Sequence, residues 1–276
     1  MKINIFILLG VLIGAPLFAM KLPVSTLELE VGGRFDQVHF DFQDAALGAK
    51  YNFDDISSWG YGLRARWDLS TYWYLRGNIT YGDIMSGTSK INSVDDYPLQ
   101  TGDLKGHMLD IQAALGRFFC FTDWLAIAPI FGWGYDGQYI WTKSMASKNS
   151  FKEMQNGPFL GVDLHTQWTD CFSLDLGYEI HFTSSRTHLI PQGNFSELSP
   201  IRGHSKVTYG QVGWIEGLYR FSRHWQVGLR GEVISYSTTK SGRIIPGNQD
   251  NIYVQARNNE ISWQSAQLSA LLGYIF

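Results

Sequence analysis

Apolar and polar residues alternate along this chain with a period of two. In the closing stretch, Ala266, Leu268, Ala270, Leu272, Tyr274 and Phe276 share one face. Gln267, Ser269, Leu271, Gly273 and Ile275 share the other. That period is a strand's, not a helix's. The same pattern opens the chain, where Leu27, Leu29, Val31, Gly33 and Phe35 alternate with Glu28, Glu30, Gly32, Arg34 and Asp36. It recurs from Trp59 to Leu69, Trp73 to Tyr81, Leu109 to Leu115, Leu125 to Trp141, Leu160 to Trp168, Phe172 to Phe182, Val207 to Phe221 and Trp225 to Val233. Pro129 falls inside one of these runs and predicts a local bulge, because proline cannot donate to a ladder.

The connections alternate as well. Tight turns fall near residues 70, 122, 170 and 222. Long polar segments fall at about 43–56, 86–103, 143–155, 185–204 and 241–259. Four short and five long connections predict about ten antiparallel strands in an up-and-down meander. Both termini then lie on the short-turn side. The strands can be drawn about 14 to 17 residues long, whereas a bilayer needs only ~9–11 tilted residues. Short turns at one end and long loops at the other are the pattern of a transmembrane β-barrel. The expected fold is all-β, a single outer-membrane barrel with periplasmic termini. A soluble β-sandwich with one wet face is the alternative.

The two faces decide which side meets lipid. Trp59, Trp67, Trp73, Trp133, Trp141, Trp168 and Trp225 share a side with Leu, Ile and Val. The opposite face carries Glu28, Glu30, Arg34, Asp36, Arg64, Arg66, Asp68, Arg76, Asp110, Asp163, His165, Asp175, Glu179, His181, Glu216, Arg220, Arg230 and Glu232. Carboxylates and guanidiniums can pair across a lumen. An apolar band in lipid and a polar lumen satisfy both faces together. Side chains fill barrels of about eight strands, and open channels appear nearer sixteen. Ten strands lined with Arg and Glu predict a narrow or blocked lumen.

Composition adds compartment and partners. Of 276 residues, 45% are hydrophobic, and 22 cations against 25 acids give a net charge of −3, which offers no nucleic-acid footprint. Residues 1–19 combine Lys2, an apolar run and Ala19, and read as a cleaved signal peptide. An uncleaved anchor is the alternative, but the run is short and broken by Gly14 and Pro16. The expected domain is 20–276. Cys120 and Cys171 form no disulfide framework or metal spacing. Either one is a candidate for a disulfide to another envelope protein. No cofactor or metal is expected. Expected partners are outer-membrane lipid, the barrel-assembly machinery, and small solutes or ions.

The signal peptide, ten tall strands, five long connections and terminal aromatic together resemble the omptin-like superfamily of outer-membrane barrels. The ending also resembles the C-terminal signal that barrel-assembly machinery reads, which the resemblance assigns to Tyr274 and Phe276. Omptins are surface proteases whose Asp-x-Asp and Asp-x-His pairs face each other and activate water. Here Asp83-Ile84-Met85 is the nearest match to the first pair, with methionine in place of the second carboxylate. Asp95-Asp96 has the wrong spacing. Glu179-Ile180-His181 and Asp163-Leu164-His165 are the matches to the second pair. If the chain were a protease, Asp83, Glu179, His181, Asp163 and His165 would carry it. The chain resembles more closely the omptin-related outer-membrane proteins of chlamydia-related bacteria, which lack the protease motif and include porins. The expectation is a non-enzymatic barrel, either a narrow porin-like channel or a structural surface protein. The alternatives are a protease with an altered site and an adhesin or ligand-binding barrel acting through its loops.

Overall fold

The computed structural model describes residues 25–41, 49–70, 72–93, 98–143, 150–190, 201–238 and 260–276. The signal segment 1–19 and Asp95-Asp96 lie outside the described residues. Every regular element among them is a strand: β1 (Thr26–Asp41), β2 (Ala49–Asp68), β3 (Trp73–Ser93), β4 (Pro98–Arg117), β5 (Phe119–Cys120), β6 (Leu125–Lys143), β7 (Ser150–Gln167), β8 (Phe172–Ile190), β9 (Ile201–Arg220), β10 (Trp225–Thr238) and β11 (Glu260–Ile275). Ten long strands pair with their neighbours in chain order. β1 closes onto β11, from Thr26 opposite Ile275 to Asp41 opposite Glu260. Closure leaves no strand edge unpaired in lipid.

The eleventh strand has a cause in the sequence. Gly116 pairs with Ile130 and Phe119 with Ile127, so β4 and β5 hold one register against β6. Continuing that register through the gap puts Arg117 opposite Pro129 and Phe118 opposite Ala128. Proline has no N–H to give the ladder, and the strand breaks there. On the other side the β3–β4 register continues, with the Phe118 N–H donating to the Tyr72 carbonyl at 2.8 Å. The expected bulge at Pro129 is therefore corrected. On its β7 side, Pro129 sits opposite Val162 in unbroken register, and the irregularity belongs to the neighbouring strand.

The four tight turns fall where the sequence places them. Leu69, Phe121, Trp168 and Phe221 donate their N–H groups to the carbonyls of Trp73, Leu125, Phe172 and Trp225. A hydroxyl supports each turn. Ser70, Thr122, Thr169 and Ser222 accept from the N–H of Trp73, Trp124, Phe172 and Trp225. Short polar side chains of this kind favour turns because they satisfy backbone groups locally.

The long connections are shorter than expected. β3 runs to Ser93 and β4 starts at Pro98, and β7, β8 and β9 extend similarly into segments that read as loop. The reason is a change of phase. Towards the short turns, each strand sends apolar residues outward, such as Leu27 to Phe35 on β1 and Val227 to Val233 on β10. Nearer the long connections, outward positions become polar, as at Gln37, Asp83, Gln211, Ser235 and Gln264. There the apolar residues turn inward: Val38, Ile84, Leu104, Met108, Ile140, Phe151, Ile234, Tyr236 and Trp263 are buried. The outward apolar stretch on β1 covers nine residues by position, within the ~9–11 a bilayer needs. Above it the barrel has water outside and an apolar core inside.

Aromatic rings mark the borders of the outward band. Ring contacts run across four strands, from Tyr61 to Tyr81 (5.8 Å), His107 (5.9 Å), Tyr139 (5.3 Å) and Trp141 (5.3 Å). At the short-turn end, Tyr274 packs against Trp225 and Phe276, each at 5.3 Å. Amphipathic rings favour the membrane–water interface.

Candidate functional site

The lumen gathers the chemistry of this molecule, and contacts across it occur at several heights. At the short-turn end, Tyr74, Phe118, Cys120, Ala126, Ala128 and Phe159 form an apolar cluster on one wall. Beside it lies a cavity of about 70 Å³ lined in part by Arg64, Arg66, Arg76, Arg230, Asp163 and Asp175. That is room for about two waters at ~30 Å³ each.

Guanidiniums tie opposite walls together. Arg64 of β2 reaches Glu216 of β9 and lies 3.6 Å from Glu28 and 4.0 Å from Glu30. Arg230 meets the same Glu216 at 3.2 Å and Glu232 at 2.6 Å. Arg76 of β3 bonds Glu179 of β8 and sits 3.4 Å from Asp163. Higher up, Arg34 binds Asp36 at 2.8 Å and Asp110 at 2.6 Å, with Asp136 at 3.9 Å. Gln226 and Gln267 donate to Glu28 and Glu30 at 2.8 and 2.9 Å. Charges taken out of water are tolerated when paired and hydrogen-bonded in this way.

Large rings share this space because glycines stand opposite them. Gly177 pairs with Trp214 and Gly210 with Tyr236, and a Cβ would lie 2.2 and 2.0 Å from those rings. Only a residue without a side chain admits such an approach. Trp214, laid flat by its glycine, receives Arg230 over its ring at 4.2 Å, a cation–π contact.

The sequence-expected catalytic residues do not converge. Asp83 is exposed on the outer face, where Tyr81 donates to it at 3.1 Å. Glu179 and His181 are buried inside the lumen, 1% exposed each, so the barrel wall separates them from Asp83. His181 does meet Glu179, at 2.8 Å, and its other ring nitrogen faces the Tyr236 hydroxyl at 3.3 Å. His165 turns away from Asp163 and pairs with Asp175 on the next strand. Asp163 takes the Tyr74 hydroxyl at 2.7 Å instead. Arg66 borders the cavity, and Arg220 ends β9 at the short-turn rim. Cys120 is buried and Cys171 exposed, and both thiols are free. No group of three metal-ligating side chains occurs among the described residues.

The sequence reading missed the layer above the charges. Phe53 of β2 and Phe151 of β7 meet across the lumen with ring centroids 5.1 Å apart. Phe53 faces inward because of a bulge. Asp36 pairs with Ile56, but Val38 pairs with Phe53, so β2 carries one extra residue there. Asp55, at a φ of 52°, lies in that bulge, and aspartate visits the left-handed region more readily than most residues. The shift lets Ile56 and Phe53 both point into the lumen. Every wall strand except β8 contributes to the apolar cluster containing these rings. Beneath them, Glu153 is buried, and burial pushes its carboxyl up to about 7 against the opposing hydrogen bond from Gln155. The missed signal was the phase of the alternation. It reverses within single strands, and the reversal is readable in Val233-Ile234-Ser235-Tyr236.

Comparison with known proteins agrees with this architecture. A family model described as Pom, Protochlamydia outer membrane protein, matches residues 28–276. A search of curated proteins gives no sequence match. Among solved structures, the outer membrane protease OmpT from Escherichia coli superposes with a TM-score of 0.72 at 9% identity, covering 94% of this chain and 99% of that one. The translocator domain of the autotransporter NalP from Neisseria meningitidis matches with a TM-score of 0.43 at 11% identity, over 93% of this chain and 91% of that one. At such identities the OmpT likeness shows the barrel fold alone, since a fold does not carry its function with it.

Proposed function

The chain belongs to the Pom family of outer-membrane β-barrel proteins, and from that premise we propose that it is a non-enzymatic surface protein whose lumen is closed. It acts as a tall scaffold that lifts its long connections clear of the membrane, with those connections outside and both termini in the periplasm. The observation that carries this reading is the Phe53–Phe151 contact across the lumen, set within an apolar cluster from nearly every strand. Below it, Arg34, Arg64 and Arg76 cross-link the walls. The outward position of Asp83 and the burial of Glu179 and His181 support a non-enzymatic reading, because a water-activating pair must share one solvent-reached site.

A narrow porin-like channel is the second reading, favoured by the charge-lined cavity at the short-turn end. It requires the apolar layer to part, and hydrophobic constrictions gate by wetting and dewetting. Liposome swelling separates the two. At pH 5.5, vesicles holding the refolded mature protein should be no more permeable to small sugars than empty ones, and the same protein should leave basic peptides uncleaved. Rapid swelling would establish the channel. Peptide cleavage lost in His181→Ala would establish the protease.

A further inference from the structure

Beneath the Phe53–Phe151 contact lies a carboxyl group with no cation beside it among the described residues. Glu153 is 2% exposed. Its stretch of β7 turns Lys152, Met154 and Asn156 outward, so it lies beyond the apolar band that meets lipid. Register sets Gln138 of β6 opposite Glu153. Phe151 and Ile140 form an adjacent pair above, and Gln155 and Asp136 form one below. On the β8 side Ser185 stands opposite Gln155. The Gln155 amide donates to one Glu153 oxygen at 3.0 Å. The other oxygen and the Gln138 amide nitrogen have no partner among the described residues.

Further down the flanking inner faces, β6 carries Asp136, whose partner Arg34 also binds Asp110, and β8 carries His181, with Tyr236 facing these groups from β10. Arg34 is already shared among three carboxylates. An ionised Glu153 would thus be an unpaired charge directly under an apolar layer, which is strongly unfavourable unless water reaches it.

We propose that Glu153 is a proton-controlled latch on the closed end of the lumen. As the neutral acid it lies under the apolar layer and the layer stays shut. When it releases its proton to water, the carboxylate draws water in and the Phe53–Phe151 contact loosens. This rests on the closed-lumen reading above. The sign follows from burial, which raises the folded-state carboxyl to about 7 from an ordinary 4.5. The folded protein then holds a proton that the unfolded chain has already released. Its stability falls as pH rises between those values and levels off above them.

The test compares the full refolded barrel with Glu153→Gln, an isosteric copy of the neutral acid, by thermal unfolding and by planar-bilayer recording at pH 5.5 and 8.5. The native barrel should lose several degrees more of Tm than the variant on going to pH 8.5. It should show conductance events only at pH 8.5, and the variant should show none. The same pH dependence in both proteins would overturn the latch. So would a Tm difference without conductance at pH 8.5, because the group would then titrate and open nothing. Conductance at pH 5.5 in both proteins would refute the closed lumen itself, leaving the Tm comparison to judge Glu153 separately.

Discussion

Arg34 shows what a single residue can and cannot announce. Its place on the polar face of the first strand is plain from alternation. Its partners are not, because Asp110 lies 76 residues away and meets it only through the barrel's closure and stagger. Side chains two apart on one strand look like natural pairs, and Glu179 with His181 is one. The same logic misleads at Asp163 and His165, where the neighbouring β8 offers Asp175 to His165 and the more distant β3 offers the Tyr74 hydroxyl to Asp163. Spacing within a strand fixes the face, whereas register between strands fixes the partner. Because Arg34 serves three buried carboxylates, removing it strands their charge. Arg34→Met should lower stability by about 3–5 kcal/mol at pH 7.5. Urea unfolding in lipid vesicles reads the effect, and a loss under about 1 kcal/mol at pH 7.5 would mean the cluster is satisfied some other way.

Along each strand, legibility follows hydrophobic phase. The lower halves were readable because apolar-out, polar-in alternation is strong there. The upper halves read as loop because the outward residues become polar while the inward ones become apolar. β2 adds a bulge at Asp54–Asp55 that shifts the phase once more. A bulge leaves almost no mark in a single sequence, and neither does a break such as that at Phe118, which depends on a proline in the facing strand. This division of each strand into two regimes is testable on β10. Leu229 faces outward within the apolar band and Ser235 faces outward above it. Leu229→Arg should cost about 2–4 kcal/mol in lipid, as arginine does near a bilayer's midplane, and Ser235→Arg close to nothing. Equal costs at the two positions would remove the proposed boundary between membrane and water.

At the scale of the whole molecule, two solvents meet one continuous sheet. In the lower barrel lipid covers the apolar face and ion pairs fill the lumen. In the upper barrel water covers the outside and the apolar core moves within. Contacts cross the interior in both, by guanidiniums below and by aromatic rings above. A narrow or blocked lumen is the expectation that ten strands lined with long side chains give from strand number alone. The proposed seal is not readable there, since Phe53 and Phe151 sit in segments that read as loop and on strands far apart in sequence. The most direct measurement is planar-bilayer conductance at pH 5.5 of the native barrel beside a Phe53→Ala/Phe151→Ala double variant. A silent native barrel and a variant with unitary steps are the expected result. Stable steps from the native barrel, unchanged in the variant, would contradict a lumen closed at those two rings.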